Sequence, residues 1–242
     1  MTDALAQSAL YRLLTFLSPA FPVGAFTYSH GLEQVIDAGG VSSAEDLRIW
    51  LKDILAHGAG RSDAILMSQT YRAALGGSLE GVRELAELGL ALQPSKERHL
   101  ETSAQGTAFV DTVVASWPPG TQTGAGAVFI SLTIENSKTR LTEWPYPVAL
   151  GLVCAAHELP EDASLTAFLQ SFAANLISAA VRAVPLGQNE GQRVLAALEP
   201  VISGVAAEAM GAAGLDDLGT STFLADIASM AHETQYSRLF RS

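Results

Sequence analysis

Apolar residues return at three- and four-residue intervals along nearly the whole chain, and glycine or proline cuts the pattern into helix-length pieces. The first piece, 4–17, carries Leu5, Leu10, Leu13, Leu14 and Leu17 and stops at Ser18-Pro19. A second, 26–38, ends at Gly39-Gly40. Ser42-Ser43-Ala44-Glu45 has the spacing of a capping box, a hydroxyl for the orphan amides and a glutamate three residues on. The helix behind it presents Leu47, Trp50, Leu51, Ile54 and Leu55 and closes at His57-Gly58. Further helices are predicted over 61–75, 79–92, 95–117, 146–157, 162–184, 188–210 and 220–236, with a kink at Pro200. The stripe in 162–184 (Leu165, Phe168, Leu169, Phe172, Leu176, Ile177, Ala180, Val184) covers a wide arc and predicts a central helix. Residues 127–134 are β-branched and partly alternating, which locally favours a strand. A lone strand leaves its backbone unpaired, and no second strong strand candidate exists. The fold class is therefore all-α: one domain over 1–242, a bundle of roughly eight to ten helices, with a tail at 237–242 expected to fray.

Composition decides what surrounds such a bundle. Hydrophobic residues make up 48% and charged residues 16%, with a mean hydropathy of +0.24. Two readings fit: a membrane protein, or one that covers apolar surface with partners. The longest unbroken apolar run, 146–156, falls short of the roughly 20 residues that span a bilayer and contains a proline and a glycine. No basic segment precedes an apolar core near the start, so no signal peptide, no membrane association and a cytoplasmic location are expected. The net charge of −11 opposes binding to nucleic acid or anionic lipid. Cys154 is the only cysteine, so neither an intrachain disulfide nor a thiolate cluster can form. Eleven of the fourteen basic residues are arginines, suited to fixed contacts with carboxylates.

Catalytic signatures are missing. The chain has no Gly-Lys dipeptide and hence no phosphate-binding loop of that type; Gly124-Ala125-Gly126 lacks the third glycine of a dinucleotide fingerprint. Neither HExxH nor GxSxG occurs, and no nucleophile–base pair is visible to support a hydrolase. No enzyme, cofactor or metal site is expected. One constellation weighs differently. On a single helix His30, Glu33 and Asp37 share a face, which suits either a divalent metal such as nickel or a solvated polar face. The like charges of Glu33 and Asp37 repel, and a partner's cation would relieve them, so the residues favour a contact surface. At the other end Tyr236, Leu239 and Phe240 supply apolar anchors, and Arg238 and Arg241 add charged forks. These residue types dominate interface energies.

Three segments go further: 17–33 (Leu-Ser-Pro-Ala-Phe-Pro-Val-Gly-Ala-Phe-Thr-Tyr-Ser-His-Gly-Leu-Glu), 183–188 (Ala-Val-Pro-Leu-Gly-Gln) and 232–242 (His-Glu-Thr-Gln-Tyr-Ser-Arg-Leu-Phe-Arg-Ser). In this order and spacing they resemble the UreF family of urease accessory proteins. The resemblance runs from about Leu10 to the C-terminus and thins between Pro118 and Arg140. It implies an all-α protein without an active site, which bridges the accessory protein UreD (also called UreH) and the GTPase UreG. That assembly docks on apo-urease and delivers nickel, with a homodimer in the complex. On that footing Tyr28, His30 and Glu33 in the first motif, and Tyr236, Arg238, Leu239, Phe240 and Arg241 in the tail, are the expected partner-binding residues. A direct nickel carrier using His30, Glu33 and Asp37 is the alternative.

Overall fold

Residues 146–156 form a helix with no solvent face, and the rest of the bundle is arranged around it. The computed structural model describes residues 3–120, 124–133 and 140–241. Among them are eleven α-helices and no strand: α1 (Asp3–Phe16), α2 (Leu32–Asp37), α3 (Ala44–His57), α4 (Ala59–Leu75), α5 (Leu79–Ala91), α6 (Lys96–Ser116), α7 (Gly124–Thr133), α8 (Tyr146–Ala156), α9 (Glu161–Ala183), α10 (Gln188–Gly211) and α11 (Phe223–His232). Pro147 opens α8, where its missing N–H costs nothing. Every residue from Pro147 to Ala156 is buried, against α4, α5, α6, α7 and α9. Gly151 permits the tightest of these contacts. A Cβ there would lie 2.4 Å from the Met67 carbonyl oxygen, so the backbones of α4 and α8 touch.

The 162–184 stripe, expected to be central, forms α9, but one side of it faces outward. Its apolar arc is wide but not complete, whereas α8 is apolar all round and takes the centre. At 23 and 24 residues α9 and α10 are long and apolar enough to cross a bilayer, a property that run length by itself missed. Half of the relevant stretch of α9 and a third of that of α10 are buried against other helices. Core helices of a globular bundle have the same length and composition.

The strand-like segment is α7. Ala125, Val128, Phe129 and Leu132, at helical spacing, bury against the core. A helix satisfies its backbone within itself, and the inward residues lose nothing by leaving a sheet with no other strand. Ile134 lies outside the described residues.

Two further expectations shift. The capping box moves by one residue: Ser43 is the cap, accepting the Asp46 N–H at 3.2 Å. Asp46 reaches back to the Ser42 N–H at 3.1 Å, and Glu45 is left to pair with Arg48. The helix expected over 26–38 is only α2. Before it Gly24 (φ 73°), a 3-10 turn at Ala25–Thr27, His30 (φ 58°) and Gly31 (φ 75°) break the spiral. Positive φ is rare outside glycine, though histidine is among the residues that tolerate it. Gly31 has a second constraint, since a Cβ would sit 2.7 Å from the Ser229 nitrogen of α11. The turn is therefore pressed directly onto the last helix. At its other end Phe21 anchors the 17–24 connection, its ring 5.8 Å from Phe16 and 5.2 Å from Phe109.

A candidate protein-interaction surface

The His30–Gly31 turn, α2, the start of α6, α11 and the tail converge on one small polar cluster. Ser29 is buried, and its hydroxyl accepts the Glu33 N–H at 3.3 Å, which starts α2 and turns the Glu33 carboxylate toward α11. Glu33 is itself buried. Its Oε1 accepts the Leu239 N–H at 2.6 Å, and its Oε2 lies 3.0 Å from both the Phe240 nitrogen and His232 Nε2. The other ring nitrogen, His232 Nδ1, lies 2.6 Å from Glu97 Oε2 on α6, and Arg238 donates to Glu97 Oε1 at 2.6 Å. Gln235 donates to Asp37, and the Lys96 N–H donates to Glu233 at 2.8 Å. The tail then closes over the first motif. Arg241 N–H donates to the Thr27 carbonyl at 2.7 Å, and Phe240 is buried under the Arg182 guanidinium, 4.5 Å from the ring centre. Arg182 also donates to the Phe26 carbonyl at 2.8 Å.

The tail expected to fray is thus docked through residue 241 on the body of the chain; Ser242 lies outside the described residues. Of the residues expected to meet partners, Tyr28, Glu33 and Phe240 are buried and His30 is partly buried, which corrects the reading that Tyr28 and Glu33 stand at a surface. Glu33 has internal donors for both its oxygens. Tyr236, Leu239, Arg238 and Arg241 do face outward. The metal-face reading fails on geometry. His30 is not on the helix at all, and its contacts, like those of Glu33 and Asp37, go to separate partners. Among the described residues no three histidine, cysteine, aspartate or glutamate side chains converge as ligands.

Beside this clasp α11 leaves a large apolar face uncovered. Phe223, Leu224, Ile227 and Met230, at i, i+1, i+4 and i+7, are 69, 73, 59 and 49% exposed. Tyr236 and Leu239 of the docked tail are exposed as well, near the end of α11, where the Leu239 amide and His232 share Glu33. Periodicity marked 220–236 as a helix, but nothing in it distinguished the face that stays open.

Behind the turn lies a second polar group. His30 Nδ1 is 2.9 Å from Glu101 Oε1 but poorly aligned for a hydrogen bond, and Glu101 also accepts from Arg98 and, at 3.2 Å, from Gln105. Asp63, Arg98 and His30 form a wall common to a cavity of about 240 Å³ and another of about 120 Å³. Burial pushes the Asp63 carboxyl up to about 7, against the pull of the Arg98 charge. Burial and Arg98 lower His30, with Glu101 opposing. No sequence pattern links positions 30, 63, 98 and 101, so the cluster was invisible before folding.

Residues 41–199 match the family model UreF. The chain belongs to the UreF family. Relatives bearing the name urease accessory protein UreF include one from Rhodopseudomonas palustris (strain BisA53), 50% identical over 99% of this chain and 96% of its own length. One from Bradyrhizobium sp. (strain BTAi1) is 46% identical over 100% and 95%, and one from Methylobacterium sp. (strain 4-46) is 47% identical over 95% and 87%. The resemblance read from 17–33, 183–188 and 232–242 is thereby confirmed. The UreF model covers the helical body, while both ends of the clasp, at Glu33 and at the tail, lie outside the matched span.

Proposed function

We propose that this UreF-family chain acts in urease maturation as a non-enzymatic scaffold, bridging UreD/UreH and UreG on apo-urease so that nickel reaches the metallocentre. The observation that carries the reading is the open apolar face of α11, together with the exposed Tyr236, Arg238, Leu239 and Arg241 of the docked tail. In a chain with few charges, a face of that kind at the end of a packed bundle is kept for a partner. Arginine and aromatic residues on that tail supply the anchors that dominate association energies. Glu33 and Phe240 serve the same surface from beneath, by holding the tail on the body. The cytoplasm as its compartment and a homodimer within the complex belong to the same proposal.

The test is co-purification. The chain should elute with UreD/UreH and UreG, while Leu224→Ser/Ile227→Ser and Tyr236→Ala/Leu239→Ser variants with unchanged circular dichroism should lose UreD/UreH. Full capture by both folded variants would sink the reading.

A further inference from the structure

Both ring nitrogens of His232 face carboxylate oxygens, Nε2 toward Glu33 at 3.0 Å and Nδ1 toward Glu97 at 2.6 Å, and the side chain is fully buried. An ionised carboxylate only accepts hydrogen bonds, so each contact needs a proton on the nitrogen that makes it. Only the doubly protonated ring makes both; either neutral tautomer sets a lone pair against a carboxylate. The charges close on the same form. Glu33 of α2 and Glu97 of α6 carry two negative charges, and Arg238 of the tail with a cationic His232 carries two positive ones. The other carboxylates nearby, Glu233 on the Lys96 amide and Asp37 on Gln235, have neutral donors and add negative charge that favours the same form. Removing one proton leaves an unbalanced buried negative charge, which proteins tolerate poorly.

The same two carboxylates hold the tail. Glu33 binds the amides of Leu239 and Phe240, and Glu97 binds Arg238. We infer that His232 is a positioning residue for the partner surface: its doubly protonated ring locks Glu33 and Glu97 onto residues 238–240, and loss of one proton releases the tail. The partner role of the tail rests on the function proposed above; the latch itself does not.

A fluorophore on Ser237→Cys reports the latch in the full-length protein, since the native Cys154 is fully buried. Anisotropy is followed from about pH 5 to about pH 8, the range in which histidines change charge. The wild-type background should lose anisotropy as the pH rises, and His232→Gln should be low and flat throughout. Glu97→Gln is the decisive variant. Its amide can donate to a neutral Nδ1, so a ring with one proton satisfies both neighbours, and the tail should stay ordered at every pH. A wild-type background that stays flat, or a pH-dependent loss unchanged in Glu97→Gln, overturns the inference. The same titration read by UreD/UreH capture separates the two proposals. Capture that ignores pH while anisotropy follows it refutes the docking role of the tail and leaves the latch standing.

Discussion

α8 and α11 are both short apolar helices, and the molecule uses them in opposite ways. α8 is enclosed on every side, because Gly151 admits the α4 backbone and further helices close over the rest. α11 packs mainly on α2 and α6, burying only Ala228, Ser229 and His232, and turns its large side chains outward. Apolar content alone therefore separates neither core from interface. What separates them is whether the chain supplies a neighbour. In α11 the inward positions are small or polar, fitted to the Gly31 turn and to the clasp. The large residues are left for something outside the chain.

The sharpest way to break this comparison is to truncate one leucine in each helix. Leu150→Ala in α8 should cost about 2–5 kcal/mol by chemical denaturation, because it opens a cavity in a closed site. Leu224→Ala in α11 should stay within about 0.5 kcal/mol, as surface changes do. Equal losses would show that α11 is part of the core.

The two polar groups on either side of the His30 turn extend the comparison. The clasp pairs its charges, whereas Asp63 in the cavity is held near pH 7 by burial against an ordinary carboxylate value of 3.8. A folded value above the unfolded one means the folded chain binds the extra proton. That stability is fully present below about pH 4 and is lost as pH rises through about 7, an effect of a few kcal/mol. Asp63→Asn removes the dependence. Its melting temperature should exceed that of the wild type at pH 8, and the difference should shrink on acidification toward pH 5. Superimposable pH profiles would show that Asp63 ionises freely.

A smaller effect tests local structure. Ser43→Ala removes the α3 cap and should cost about 1 kcal/mol. Ser42→Ala should cost less, because the Ser42 N–H still reaches Asp46 without its hydroxyl. The opposite ranking would restore the capping box to the position expected from the sequence.

The all-α class and most helix boundaries were legible because periodicity, caps and breakers act over a few residues. Even α7 was written at 125, 128, 129 and 132, under a β-branched composition that hid it. Family membership was legible too, in the segments 17–33 and 232–242. Tertiary structure alone decided the clasp and the cavity. Glu33 meets residues 239 and 240, and His30 meets Glu101, across separations that no local pattern spans. It also reversed the reading of Glu33. A carboxylate four residues from another looks like a solvated face until folding supplies its buried donors, and those donors come from the far end of the chain.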